Sequence, residues 1–549
     1  MDLLIINTRI MWFSHKSMIA TGPLVLASYL HEKGFSTGVI DDNSVYKRYR
    51  LKDYVDFIER NDVKMIGFSV NTLNAYNSYE LAKALRKKFP DKPLLAGGLQ
   101  SFDAIEEMEQ QSFDVIFKGE AEIASAKFMA AAKKCSPHLT RAMFRDSSFM
   151  SELAEIQGLH INVDGRKTAT SDGFCELVQD LDDVPFSNYD LINLSDYIKS
   201  KFDHHSVTNQ LNFQRGCPYA CTFCKSAVIA QKLRNNSAHY MISELERRYE
   251  KFGLSNFFIT DSNFTIDKAR VQEFCAIMIS KGLNKKINLM IQTSIVIPLS
   301  DDEIDLLQEA GVTMFAIGVE RLGEGNRKQI KKAGSGTLAT TLIRKLYDRG
   351  MRSMVNILVN LPFDSEETMK EETGLITKNL PYVGFLYINY LWPMPGTPIC
   401  DDDTSSKYKA WYLDKNIAGF QVPYYSYAFL LEGALALDVN IFGHSKKTLR
   451  AIRRFKEEFQ WKGTMGATRL PLLKVLFAAD MFLGKISYFV GRISPKLEHF
   501  VFAPFKFLRI RGYKIVFNFF MGLEKKRANA ESNRSVTGKT AKLALSKPC

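Results

Sequence analysis

The stretch Arg215-Gly216-Cys217-Pro218-Tyr219-Ala220-Cys221-Thr222-Phe223-Cys224 gathers three cysteines within eight residues, while Cys135, Cys175, Cys275, Cys400 and Cys549 stand far apart. A thiolate is a soft ligand suited to zinc, copper or iron-sulfur clusters, and ligands on one short loop lose little chain entropy on closing around a metal. Three readings compete. Buried free cysteines on one helical face would be spaced as 217, 221 and 224 are, but Gly216 and Pro218 oppose a helix through all three. Structural zinc commonly takes two separated ligand pairs, and no second pair exists. An iron-sulfur cube held by three thiolates leaves one iron without a protein ligand, and that iron is a reaction site.

The loop resembles that of the radical S-adenosylmethionine (SAM) superfamily, which has the same cysteine spacings and an aromatic residue, here Phe223, just before the third cysteine. The resemblance implies that Cys217, Cys221 and Cys224 hold a 4Fe-4S cluster whose open iron chelates the amino and carboxylate groups of SAM. It further implies that an electron from the cluster, delivered by a donor such as flavodoxin or ferredoxin, cleaves SAM to methionine and a 5'-deoxyadenosyl radical.

Outward from this loop, the chain reads as alternating strands and helices. On the carboxyl side, strands are expected at 211–214, 256–261, 287–293, 313–319, 353–360 and 384–391, with helices at 237–251, 267–281, 301–310, 337–349 and 365–378. Six such units predict a partial (β/α)6 barrel whose active site lies at the carboxyl ends of its strands. The cysteine loop falls after the first strand, where catalytic loops of such barrels lie. Asp261, Ser262, Asn263 and Phe264 end the second strand, and the resemblance implies a SAM-contacting loop there, with Asp261 and Asn263 as contacts. Gln292 and Thr293 end the third strand. Glu320 is the candidate for the SAM ribose and Arg321 for its carboxylate, both by the resemblance. Asn356 lies on the fifth strand with its side undetermined. Pro393-Met394-Pro395-Gly396-Thr397 resembles the family's closing turn.

On the amino side, strands at 3–8, 36–41, 64–70, 93–97 and 114–118 alternate with helices at 23–33, 51–60, 78–89, 103–109 and 121–134. Short apolar strands alternating with helices imply a parallel sheet covered on both faces, with ligands at the carboxyl ends. This is a Rossmann-like domain over residues 1–135. It resembles the cobalamin-binding domain that precedes many radical SAM domains, including the closing pair Gly119-Glu120. The resemblance implies that Ser69, Thr72, Gly97, Gly98, Gly119 and Glu120 flank cobalamin. The Asp-x-His-x-x-Gly motif that supplies a lower axial histidine elsewhere is absent, since Phe13 and Met18 stand in its Asp and Gly places around His15. The lower cobalt face therefore has no assigned ligand.

Residues 136–205 read as a linker with a small hairpin at 160–165 and an extended acidic crossing at 181–190. Residues 206–400 are the barrel, 401–524 a mainly helical extension, and 525–549 a polar tail with the composition of a disordered segment.

Length and charge bound the rest. A chain of 549 residues with 46% hydrophobic and 24% charged residues is of ordinary globular composition and holds two or three domains. Isolated cysteines argue against a disulfide framework and for a reducing cytoplasm, and no secretory signal is expected at the start. Residues 441–549 carry 23 Lys/Arg against 6 Asp/Glu, a net +17, which leaves −4 for residues 1–440 out of the total +13. Basicity thus belongs to the C-terminal region. There Lys and Arg alternate with Phe, Leu and Ile, as in 505–511 and 513–517, and Lys474, Asp480 and Lys485 interrupt the first apolar run. This composition suits a helix lying on an anionic membrane surface at the inner face, and equally a helical cap packed on the barrel. It also motivates a hydrophobic or lipid-like small-molecule substrate.

The expectation is a cobalamin-dependent radical SAM enzyme, with methylation of an unactivated carbon as the leading outcome and cyclisation or oxidation with the same cofactors as the alternative. The rival from another class is a zinc-stabilised, non-catalytic nucleic-acid- or lipid-binding protein.

Overall fold

The computed structural model describes residues 1–10, 19–44, 47–198, 209–229, 232–401, 410–414, 440 and 442–466, with isolated positions beyond. His15 and nearly all of the basic region after 466 lie outside the described residues, so the expectations for them are not addressed by the structure. Residues 1–422 and 428–477 form one compact unit, and it contains everything described below.

The first sheet contains β1 (Leu3–Asn7), β2 (Thr37–Asp41), β3 (Met65–Ser69), β4 (Leu94–Gly97), β5 (Val115–Phe117), β6 (Leu159–Val163) and β7 (Arg166–Ala169). Its order is β2-β1-β3-β4-β5-β6-β7. The first five strands pair in parallel, and β1 and β2 are buried along their whole length, as a sheet covered by helices on both faces requires. The chain order reverses between β1 and β3, which makes the carboxyl ends of these two strands a topological switch point. The hairpin expected at 160–165 exists as β6 and β7, but it joins the first sheet antiparallel to β5. The first sheet therefore continues beyond residue 135.

The second sheet contains β8 (Gln210–Leu211), β11 (Asn256–Ile259), β12 (Asn288–Thr293), β13 (Val312–Glu320), β14 (Arg352–Val359) and β15 (Phe385–Tyr390). Its order, β15-β14-β13-β12-β11-β8, is sequential and every pair is parallel, the topology of a partial (β/α)6 barrel. Local sequence starts each of its main helices in the same way. The side chains of Ser237, Asp267, Ser300, Ser335 and Ser365 each accept the backbone N–H three residues on, satisfying a donor that the helix itself leaves open. Strands β9 (Gln214–Arg215) and β10 (Arg234–Asn235) form a separate antiparallel pair that brackets the cysteine loop. Beyond the sheet, helix Lys446–Gly466 buries Ile452, Phe455 and Phe459. No helix among the described residues is long and apolar enough to cross a membrane.

Candidate active site

Gly216 turns the chain into the cysteine loop at φ 92°, and a Cβ there would meet the Lys232 carbonyl at 2.6 Å, so only glycine fits the close return of the chain. Within the loop the Cys224 N–H donates to the Cys221 carbonyl at 3.1 Å. Thr222 ties the loop to the barrel mouth: its N–H donates to Ile330 O at 3.1 Å and its carbonyl accepts from Ile399 N at 3.1 Å. Cys221 is buried, and Cys217, Phe223 and Cys224 are half-buried. Burial pushes the Cys217 and Cys221 thiols up, and nearby Lys332 opposes it. Among the described residues no group of three His, Cys, Asp or Glu converges as ligands of a single ion would. A cube needs no such point, because each thiolate takes its own iron.

The mouth residues divide into two groups. Glu320 ends β13 at φ 64°, a left-handed conformation uncommon for a non-glycine residue, and lies 3.6 Å from Lys332. Burial raises its carboxyl above the usual range while Lys332 opposes that. Both side chains act electrostatically on Cys221, which puts Glu320 beside the cysteine loop. Asn263 follows β11 but is buried, its Nδ2 donating to Ser294 Oγ at 3.0 Å and its Oδ1 accepting from Thr293 at 3.0 Å, so its side chain braces the loop and corrects the expectation that it contacts SAM.

Asp261 and Arg321 are instead committed beneath the surface. Asp261 is fully buried, accepting from the Phe213 N–H at 2.6 Å and from Arg270 at 3.2 Å, and burial raises its carboxyl. Arg321 is fully buried and donates to both oxygens of Asp364, at 2.5 and 2.7 Å. These contacts correct the expectation that the two side chains meet SAM. They support the strand ends from behind, because a buried charge is tolerated only when paired.

Asn356 acquires a side: it shares a half-buried face with Met354, and register sets it opposite Gly318 and Tyr387. Asn360, just after β14, has φ 65°, is fully buried, and has an Oδ1 with no hydrogen-bond partner. Two adjacent strands thus end in non-glycine residues at positive φ, a strain that clusters at functional sites and that no sequence spacing announces.

At the carboxyl edge of the first sheet lies a cavity of about 790 Å³, within the usual range for a ligand site. Ser69, Gly97, Gly98, Gly119 and Glu120 line it. Thr72 does not; its hydroxyl donates to Gln100 at 2.9 Å and braces the loop from behind. Gly98 has φ 98°, and a Cβ there would sit 2.6 Å from the Val70 carbonyl. The floor is apolar, with Leu3, Ile5, Leu95, Phe117, Phe128 and Met129, and a Cβ on Gly22 would meet nothing within 4 Å. The rim is polar. Asn7 Nδ2 and Asn43 Nδ2 donate to Asp41 Oδ1 at 2.9 and 2.6 Å, and the Ala20 N–H donates to Asp41 Oδ2 at 2.8 Å. An apolar floor below an amide-rich rim fits cobalamin, which has an aromatic tail and a ring bearing amides. This rim escaped sequence reasoning because its residues end different strands, although Asn7 and Asp41 each close an apolar run.

The cavity does not stop at the first domain. Gln214, Arg215, Gly216, Ser226 and Ile229 also line it, so the residues that enter and leave the cysteine loop form one wall.

A Rossmann-like fold whose cavity reaches both ends of a three-cysteine loop at a barrel mouth sets two candidate cofactor sites side by side. Comparison with known proteins makes them specific. The family model for the B12 binding domain matches residues 16–128, and that for the radical SAM superfamily matches residues 211–375. The chain is thus an enzyme with a B12-binding domain followed by a radical SAM domain, and cobalamin, SAM and an iron-sulfur cluster are the cofactors of that pair. It is 22% identical over 303 residues to the anaerobic magnesium-protoporphyrin IX monomethyl ester cyclase of Cereibacter sphaeroides, covering 55% of this chain and 47% of that one. It is 24% identical over 396 residues to the cytidylyl-2-hydroxyethylphosphonate methyltransferase of Streptomyces wedmorensis, covering 66% of this chain and 73% of that one. The chain thus spans about half the length of the first of these relatives. Among solved structures, the methyltransferase TsrM of Kitasatospora setae matches with a TM-score of 0.59 at 16% identity, over 73% of this chain and 77% of that one. OxsB matches with a TM-score of 0.59 at 15% identity, over 100% of this chain and 82% of that one. At such identity these structures speak for the fold.

Proposed function

We propose that the protein methylates an unactivated carbon of a small-molecule substrate, with a 4Fe-4S cluster on Cys217, Cys221 and Cys224. The observation that carries this reading is the shared cavity, in which the residues entering and leaving the cysteine loop border the space lined by the ends of β1, β3, β4 and β5. When bound, the cluster with SAM supplies a carbon-centred radical and cobalamin supplies a methyl group. The chain's own part is position and exclusion of water. Ser69, Gly97, Gly98 and Gly119 let the backbone come close to cobalamin, and Phe223 and Glu320 are the candidate side-chain contacts for SAM. Gln292, Met354, Asn356 and Tyr387 are related by register across adjacent strands and form the candidate substrate-facing surface.

A second reading, cyclisation with the same cofactors, is favoured by the matches to the cyclases of Cereibacter sphaeroides and of Synechocystis, the latter 25% identical over 321 residues. Anaerobic incubation with deuterium-labelled candidate substrates, SAM, hydroxocobalamin and a flavodoxin-type reductant separates the two. Methylation replaces the abstracted deuterium with CH3, the label passing to 5'-deoxyadenosine, and consumes two SAM per turnover, whereas cyclisation gives no mass gain from SAM. Protein that binds zinc and no iron after reconstitution would overturn both.

A further inference from the structure

Three cations of the cysteine loop meet carboxylates of the first domain. Arg215 and Arg234 face each other across β9 and β10, closing the loop that carries all three cysteines. Arg215 donates to Glu120 and Glu122, each at 2.6 Å, and Arg234 also donates to Glu120. Lys225, the residue after Cys224, donates to Asp103 and, at 2.9 Å, to the Pro395 carbonyl. The carboxylates follow β4 and β5, whose end loops, 97–102 and 119–122, supply cavity-lining residues.

The contacts have little freedom. The six side chains are between 4% and 23% exposed, so their charges are weakly screened. Burial alone would pull the Arg215 guanidinium down, but Glu122 and Glu120 hold it above its usual value. Asp103 is wedged against Gly396, where a Cβ would lie 2.5 Å from its Oδ2. Any rearrangement of loops 97–103 or 119–122 around a ligand therefore pulls on the cysteine loop at both ends and near its middle.

From this geometry we propose that Arg215, Arg234 and Lys225 are positioning residues that couple occupancy of the first-domain cavity by cobalamin to the conformation of the cluster loop. The coupling is reciprocal by linkage: a filled cavity orders the cysteine loop, and an assembled cluster tightens cobalamin binding. The inference rests on the cavity taking cobalamin and the loop taking the cluster.

The test titrates hydroxocobalamin into full-length protein, with and without a reconstituted cluster, for wild type, Lys225→Met and Asp103→Asn. In wild type the cluster tightens binding about fivefold or more, the lower range of allosteric coupling. In both variants the ratio falls towards one while the cluster-free forms bind as wild type does. The reduced cluster's electron paramagnetic resonance signal shifts on adding hydroxocobalamin in wild type and not in the variants. Asp103→Asn leaves the loop sequence intact, so loss of cluster assembly in Lys225→Met alone does not decide the outcome. A wild-type ratio of one, or a wild-type ratio kept by Asp103→Asn, overturns the coupling. Wild type that binds no iron or no cobalamin overturns the underlying reading instead.

Discussion

The two parallel sheets of this protein bury their strands differently. Strands β1 and β2 are buried at every position, whereas β11 and β12 alternate buried and half-buried residues throughout. Helices cover both faces of the first sheet's central parallel strands, so their residues are core, and its polar ligand-facing groups come from strand ends and the loops after them. The second sheet curves around an interior, so one face packs on helices and the other carries residues such as Gln292, Asn356 and Tyr387. The first sheet is thus a holder that acts through its loops, and the second offers a surface along its strands as well. The cysteine loop, bracketed by its own strand pair, is tied to the barrel mouth through Thr222 and fastened to the loops of the first sheet.

The strongest way to break that division is to remove the cluster ligands and ask what survives. Cys217→Ala, Cys221→Ala and Cys224→Ala are each expected to drop iron from about four per chain to near zero and to abolish SAM cleavage. Cobalamin binding persists at the weaker affinity of the cluster-free protein, because no cysteine of the triad lines the cavity. Iron assay and absorbance titration on the same preparation check both halves. Loss of cobalamin in all three variants would mean that the sheets are not separable as holder and reactor.

A smaller but still large effect is expected beneath the barrel mouth. Asp364→Asn leaves the fully buried Arg321 without its counter-charge, a change that costs about 3–5 kcal/mol. Chemical denaturation read at the barrel checks it. At the edge of the first sheet, Gly98→Ala forces a Cβ against the Val70 carbonyl at a positive φ, for a cost of roughly 1–3 kcal/mol. That variant is expected to weaken cobalamin binding while leaving iron content unchanged, the mirror image of the cysteine variants.

The same difference between the sheets explains what the sequence made legible. Strand positions were readable because β1, β3 and β4 are apolar runs and the barrel strands are punctuated by Ser and Asp helix caps. The cysteine loop was readable because its ligands are local. What escaped was contact between distant segments: Glu120 reads as a strand-end residue, and only the fold brings Arg215 and Arg234 to it. Arg321 and Asp261 show the reverse error. Each sits where a ligand contact was expected, yet each is consumed by a partner, Asp364 and Arg270, that lies elsewhere in the chain. The hairpin β6 and β7 was visible as a turn, but nothing local specifies that it extends the first sheet.

The smallest expected effect tests a buried carboxylate beside the polar rim of the first sheet through pH. Asp42 follows β2, accepts the Tyr49 N–H at 2.9 Å and lies 3.3 Å from Arg9. Burial raises its carboxyl from 3.8 to about 6, with Arg9 opposing the shift. In this window the folded state holds the proton more tightly than the unfolded chain, so this group's contribution is full below about pH 4 and is lost as pH rises towards 6. The sign is opposite to that of a carboxylate stabilised by its salt bridge. Asp42→Asn removes the titration while keeping shape, so the difference in stability between wild type and variant should change across pH 4–6 by on the order of 1 kcal/mol. That is below the roughly 3 kcal/mol ceiling set by a two-unit shift, because the side chain remains 9% exposed and water moderates the charge. Denaturant midpoints at pH 4, 5, 6 and 7 for both proteins provide the measurement. A flat difference curve would mean that Arg9 fully compensates the burial of Asp42.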